Sequence, residues 1–153
     1  MTTVETILVA TDGSPASTAA SEEAIDLASR LCARLIVINV VNVPELMAAS
    51  TIFPGTVVAA REDADVVARS VVDEARRMGV VAAYLTWEGQ PGEAIVAAAE
   101  AENVDMIVVG THGRSVVGRL LLGSVSEYVV RHAHVPVLVV RPTEAHVAVG
   151  AAH

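Results

Sequence analysis

The chain has 153 residues, of which 53% are hydrophobic and only 3% aromatic. This length predicts one domain, whose core must consist of Val, Ile, Leu and Ala. The net charge of −8 argues against general nucleic-acid binding. All 10 basic residues are arginine. The absence of lysine excludes a Walker P-loop, a pyridoxal Schiff base and a protein kinase, since each depends on a lysine.

Three further features bear on the location of the protein. No apolar run approaches the roughly 18 residues that a membrane helix needs. Residues 1–5 lack the basic and apolar segments of a secretory signal. Cys32 is the single cysteine, so no intramolecular disulfide can form, and we expect it to be a small buried residue. Together these features predict a cytoplasmic protein without contact with membranes.

The predicted elements alternate between strands and helices. Ser14 is suited to the N-cap of the first helix and Pro15 to its first position. The second strand is too uniformly apolar to be half-exposed, which is typical of a central parallel strand. We predict strands over residues 6–10, 35–41, 80–87, 105–109 and 136–140, and helices over residues 15–33, 59–78, 91–102 and 124–132.

This alternation predicts a single-domain α/β fold with an open, parallel, five-stranded sheet and helices on both faces. Residues 42–58 contain Pro44, Pro54 and Gly55, and we expect a long loop there that is functional or mobile. The domain is expected to span residues 1–143. The tail, residues 144–153, has weak periodicity and is expected to be flexible.

A glycine frame follows the fourth predicted strand. Gly110 and Gly113 flank a tight turn, and Gly123 comes immediately before the last predicted helix. Glycine permits positive φ and close backbone approach, and a helix N-terminus offers free N–H groups. The frame therefore predicts a site for a nucleotide or another phosphorylated ligand. Residues 110–141 contain four arginines against the single acidic residue Glu127, which either attract phosphate or form a chance cluster of solvated side chains.

Several residues near the frame have more than one interpretation. Asp12, which ends the first strand, could ligate a metal, accept from a ribose hydroxyl or stabilise its own turn. Ser124 could cap the last helix with Glu127 completing a capping box. His112 could donate to a phosphate or have no role. His132 and His134 are expected to interact with the helix C-terminal dipole rather than bind metal.

No catalytic constellation is visible. The serines lack the Gly-x-Ser-x-Gly elbow, and the turn after the first strand cannot form a Rossmann dinucleotide fingerprint. We therefore predict no catalytic residue and at most slow hydrolysis of a bound nucleotide. If the first and fourth strands are neighbours, Asp12 and the Gly110 turn converge in one crevice at the carboxyl ends of the strands.

Three segments resemble the universal stress protein family. Residues 6–14, TILVATDGS, resemble the opening strand and turn of these proteins. The pattern Gly110-x2-Gly113-x9-Gly123-Ser124 is similar to that of their ATP-binding branch, and residues 135–140, VPVLVV, resemble their last strand. The resemblance covers residues 4–142.

The resemblance implies a sheet of order 3-2-1-4-5 of the adenine nucleotide alpha-hydrolase-like type, with ATP across the ends of strands 1 and 4. Backbone near Ala10 and Val40 would hold the adenine, and Asp12 and Gly110 would lie near the ribose. A divalent ion, Mg²⁺, would accompany the phosphates and could contact Asp12. The phosphates would be held by Gly113, Gly123, Ser124, Val125 and Ser126, with Val109, His112 and Arg114 nearby.

The family commonly forms homodimers through the last strand, here residues 136–140. An apolar edge strand is otherwise avoided in soluble proteins, although the tail could cover it instead. The resemblance implies an ATP-binding stress protein that signals through nucleotide occupancy. The alternatives are a slow ATPase or other nucleotide-processing enzyme of the same superfamily, and a dimeric scaffold that binds no nucleotide.

Overall fold

The computed structural model describes residues 3–49, 55–111 and 122–151. In this part of the chain, the strands are β1 (Thr6–Ala10), β2 (Arg34–Val41), β3 (Ala82–Glu88), β4 (Met106–Gly110) and β5 (Val137–Val140). The helices are α1 (Pro15–Leu31), α2 (Val43–Ala49), α3 (Thr56–Arg77), α4 (Pro91–Ala101), α5 (Ser124–His132) and α6 (Glu144–Ala151).

The strands form one parallel sheet in the order β3-β2-β1-β4-β5. Both the α/β class and the strand order confirm the prediction. β1 lies between β2 and β4, with Leu8 paired to Ile36 and to Ile107. The first and fourth strands are therefore neighbours, as the predicted crevice requires.

Alternate strand residues point to opposite faces of the sheet, because the side-chain period of a strand is two residues. Ile7 and Val9 join the core beneath α1 and α3, whereas Leu8 joins the core beneath α4 and α5. The buried residues of both cores are Val, Ile, Leu and Ala, as the composition predicts. β1 and β2 carry mainly apolar side chains on both faces and therefore lie in the interior of the sheet. Because the strands are parallel, their carboxyl ends lie at the same edge of the sheet.

The stretch predicted as irregular, residues 42–58, contains helix α2 and the first turn of α3. The Asn42 side chain accepts a hydrogen bond from the backbone N–H of Glu45 at 3.3 Å and so caps α2. Pro44 lies in the first turn of α2. A backbone N–H at this position would have no acceptor within the helix, so its absence in proline costs nothing. The prediction failed because it took Pro44 only as a helix breaker.

One other local expectation differs from the structure. Cys32 is exposed rather than buried, because α1 ends at Leu31 and Cys32 adopts the left-handed conformation with φ 54° at the C-cap. The tail contains α6, which weak periodicity did not predict. α6 packs on α1, where His146 Nε2 lies 2.6 Å from Glu22 Oε2. None of the described helices is long and apolar enough to cross a membrane.

Candidate functional site

A cavity of about 1080 Å³ opens at the carboxyl ends of the strands. It extends from the start of α5, across the ends of β4 and β1, to the end of β2 and the first half of α3. This is the place where open parallel sheets bind ligands. The described residues that line it include Asp12, Asn39, Val40, Ala60, Asp63, Ala64, Gly92, Gly110, Thr111, Gly123, Ser124, Val125, Ser126 and Tyr128.

Asp12 follows β1 and lines the cavity. One of its carboxylate oxygens, Oδ1, accepts a hydrogen bond from the Ser14 N–H at 2.9 Å. Ser14 in turn caps α1 by accepting from the Ser17 N–H at 3.3 Å, which confirms the predicted N-cap. The expected turn role of Asp12 is therefore present, and its carboxylate also contributes charge to the cavity wall.

Helix α5 begins without a side-chain cap. Gly123 occupies the N-cap in an extended conformation, with φ −79° and ψ 168°. Its N–H donates to the Thr111 carbonyl, and its own carbonyl accepts from the Glu127 N–H at 2.9 Å. The N–H groups of Ser124, Val125 and Ser126 have no acceptor in the described part of the chain. Three free donors at a helix start are suited to an anion.

The expected capping box at Ser124 is absent. The helix starts at Ser124 itself, one residue earlier than a serine cap requires. Glu127 is thereby displaced from the N3 position and instead forms an ion pair with Arg131 at 2.8 Å. Because no side chain satisfies the first turn, its donors remain available to the cavity.

Ser126 holds the two ends of the glycine frame together. Its side chain is buried, and Oγ lies 3.0 Å from the carbonyl oxygens of both Thr111 and Gly123. Its hydroxyl therefore stabilises the protein, while its backbone N–H remains one of the three free donors at the start of α5.

The remaining predicted residues occupy different positions. Val40 lines the cavity from the end of β2, whereas Ala10 and Val109, in β1 and β4, are not among its lining residues. His112, Gly113 and Arg114 lie outside the described residues. The expected contacts of these three with a phosphate stay predictions.

The charged side chains in the described part of the cavity lining are acidic. Among the described residues, the charged side chains that line it are Asp12, Glu45, Asp63, Glu93 and Glu127. Arg131, one of the four arginines of the frame region, is 70% exposed and paired with Glu127. Arg141, the other described arginine of this region, is exposed, and neither Arg131 nor Arg141 lines the cavity, so the described part of the frame offers the cavity backbone donors.

Among the described residues, no group of three or more metal-ligating side chains is present, so His132 and His134 belong to none. His132 Nδ1 lies 2.9 Å from the Tyr128 carbonyl in the last turn of α5, as the dipole interpretation expects. His134 Nε2 lies 3.4 Å from Glu100 Oε1. Neither histidine lines the cavity.

Sequence reasoning missed the wall that α2, α3 and α4 contribute. Asn39 interrupts the apolar run of residues 35–41, and this polar residue was the available indication of its role. Ala60, Asp63 and Ala64 are brought to the cavity by the packing of α3 on β2 and β3. No motif marks them, because their position depends on long-range contacts.

The fold and cavity define a single-sheet α/β protein with an anion-suited helix start at the carboxyl edge of its strands. A model of the universal stress protein family matches residues 3–141. The chain belongs to the universal stress protein family.

Individual relatives agree with this assignment. Universal stress protein MJ0531 of Methanocaldococcus jannaschii is 35% identical over 137 residues, which cover 88% of this chain and 81% of that protein. The solved structure of MJ0577 from the same organism superposes with a TM-score of 0.79 at 27% identity, covering 94% of this chain and 99% of that chain. A universal stress protein solved in complex with cAMP has a TM-score of 0.67 at 27% identity, covering 93% of this chain and 100% of that chain.

Proposed function

We propose that this universal stress protein binds ATP and acts in the stress response through its nucleotide occupancy. The observation that supports this most directly is the uncapped start of α5, where the N–H groups of Ser124, Val125 and Ser126 face a large cavity without an acceptor among the described residues. Phosphate oxygens are the natural acceptors for such a cluster. The cAMP complex of a family member agrees with a nucleotide as the ligand.

In this proposal, the phosphates lie at Gly123–Ser126, with Gly113, His112 and Arg114 as further contacts. Asp12 and Gly110 lie beside the ribose. The backbone near Ala10 and Val40 holds the adenine, and Val109 packs nearby. The strand order supports this sequence of contacts, since β1 separates β4 from β2.

Mg²⁺ is part of the proposal and fits the charge of the site. Five acidic side chains line the described cavity, and a triphosphate there needs a cation to offset the repulsion. The described residues contain no group of three metal-ligating side chains. The phosphate oxygens would therefore supply most of the ligands of the ion, with Asp12 as one protein ligand. Bound Mg²⁺ supplies charge neutralisation.

The experiment that tests the proposal is identification of retained nucleotide by mass spectrometry, followed by calorimetric titration of the emptied protein with ATP and MgCl₂. Saturable binding is expected, with turnover much slower than dissociation. Absence of both retained nucleotide and saturable binding would refute the proposal. Gly123→Val is expected to weaken ATP binding in a folded protein, and unchanged affinity would refute the placement of the phosphates.

We further propose a cytoplasmic homodimer that pairs through residues 136–140. In the described sheet β5 pairs with β4 alone. Thr111 N–H donates to the Val140 carbonyl and Ile107 N–H to the Pro136 carbonyl, so the backbone groups of Val137 and Val139 face outward. Val139→Pro removes one outward N–H and is expected to shift the protein to monomer in sedimentation analysis, whereas a dimer that persists would contradict the interface.

A further inference from the structure

We infer that Asn39 selects the nucleoside of the bound nucleotide by accepting a hydrogen bond from a donor group on it. The inference rests on the proposed function and assigns a specificity-determining residue to the same cavity. The inference is based on a buried residue of the cavity lining whose side-chain amide has only one of its two polar atoms satisfied among the described residues.

Asn39 is 6% exposed, although it belongs to the cavity lining. Its Nδ2 donates to the Ala64 carbonyl of α3 over a long 3.4 Å. This contact fixes the orientation of the amide, because a carbonyl oxygen only accepts and therefore requires the nitrogen rather than the oxygen. The other atom, Oδ1, has no donor among the described residues. An unpaired acceptor at this burial is costly, and a ligand donor would satisfy it.

The position of Asn39 favours the nucleoside over the phosphates. The free N–H groups lie at the start of α5, beside β4, whereas Asn39 lies near the end of β2, on the far side of β1. Asp12, at the end of β1, lines the cavity between these two places. A nucleotide whose phosphates contact α5 therefore extends its nucleoside toward β2 and α3.

The chemistry of Oδ1 restricts what can lie against it. It accepts from an exocyclic amine of the base or from a ribose hydroxyl, and it repels a carbonyl oxygen at the same position. Removing the donor from the ligand leaves the buried acceptor unpaired, which is a strong basis for discrimination between otherwise similar ligands. Adenine has such an amine, whereas hypoxanthine has a carbonyl in its place.

The test is calorimetric titration of the full chain with four magnesium nucleotides: ATP, ITP, 2′-deoxy-ATP and 3′-deoxy-ATP. 2′-Deoxy-ATP and 3′-deoxy-ATP each lack one ribose hydroxyl, whereas ITP has a carbonyl oxygen in place of the exocyclic amine and a proton on N1. The wild-type protein is compared with Asn39→Leu, which has a similar volume but no acceptor. Thr86→Val is the matched control, since Thr86 pairs with Asn39 in register and donates to Asp65 Oδ1 of α3 at 2.5 Å, yet does not line the cavity.

We expect Asn39→Leu to weaken ATP binding about fivefold, the size of one net hydrogen bond. The wild-type protein should bind one of the three analogues at least fivefold more weakly than ATP, about the size of one net hydrogen bond. Asn39→Leu should not weaken that analogue further, and if the analogue is ITP its affinity should rise, because the repulsion between Oδ1 and the carbonyl oxygen is removed. The analogue concerned identifies the donor as the base amine or a ribose hydroxyl. Thr86→Val should change none of the affinities.

The inference is overturned if Asn39→Leu weakens all four nucleotides equally, weakens none, or has the same effect as Thr86→Val. Should Asn39→Leu fail to fold by circular dichroism, the wild-type titrations alone decide, because equal affinity for all four nucleotides contradicts the inference. A wild-type protein that binds ATP and every analogue equally refutes only the role of Asn39. A wild-type protein that binds none of them refutes the proposed function as well.

Discussion

Gly110 and Ala16 lie so close that a Cβ atom on Gly110 would be 2.6 Å from the carbonyl carbon and oxygen of Ala16. This close contact packs the end of β4 against the first turn of α1. It therefore brings Thr111 and Asp12 to one side of the cavity. Gly110 is required here for space, since both opposing atoms belong to the backbone and cannot move aside independently.

We predict that Gly110→Ala lowers the free energy of unfolding by about 3 kcal/mol, because overpacking against backbone cannot be relieved by a rotamer change. Urea denaturation measures the effect. Adding Ala16→Gly should not restore stability, since the Ala16 backbone remains. Gly79→Ala is the control: φ is +78° but nothing lies within 4 Å of its added Cβ, so only about 1 kcal/mol is expected. Wild-type stability of Gly110→Ala would contradict the packing.

Gly92 and Tyr128 form a similar contact between α4 and α5. A Cβ on Gly92 would lie 2.8 Å from three atoms of the Tyr128 side chain. Gly92→Ala is expected to cost about 2 kcal/mol of unfolding free energy. In a double-mutant cycle with Tyr128→Ala, the combined loss should be smaller than the sum, because two of the three close atoms, Cγ and Cδ1, are removed while Cβ remains. Additive losses would argue against direct contact.

Ser126 and Ser124 are predicted to respond differently to the same substitution. Ser126→Ala removes a buried hydroxyl that contacts two carbonyl oxygens and should lower the unfolding free energy by about 1 kcal/mol. Ser124→Ala removes an exposed hydroxyl that caps nothing and should change stability by less than about 0.5 kcal/mol. Thermal and urea denaturation of both variants provide the comparison. If Ser124→Ala lost more unfolding free energy than Ser126→Ala, the result would indicate that Ser124 caps the helix.

The acidic lining predicts that Mg²⁺ strengthens ATP binding and leaves adenosine binding unchanged, because only the triphosphate is repelled by the carboxylates. Calorimetry in MgCl₂ and in EDTA measures both. Asp63→Asn should raise ATP affinity in EDTA by roughly twofold, a small effect since Asp63 is exposed and screened. Glu62→Gln, its exposed neighbour outside the lining, is the matched control. Equal ATP affinity with and without Mg²⁺ would contradict the prediction.

The strands and most helices could be predicted from the sequence, because each depends on local pattern. The apolar run of β2, the Ser14 cap and the boundaries of α5 over Ser124–His132 are examples. The predicted helix over residues 59–78 begins three residues too late, and α2 was missed, since residues next to proline and glycine gave no periodicity to read. Cys32 was misplaced for a related reason: one residue beyond a helix end, the backbone turns and the side chain leaves the buried face.

The sequence by itself determined the alternation of strands and helices, the glycine frame and hence an edge suited to phosphate. Tertiary structure alone decided which groups meet there. It made Gly123 rather than Ser124 the helix cap, used Ser126 to join Thr111 to Gly123, and aligned Asn39 with the cavity by packing α3 over β2. Local patterns depend on neighbouring residues, whereas caps, burial and free hydrogen-bond acceptors depend on atoms that the chain brings together from far apart.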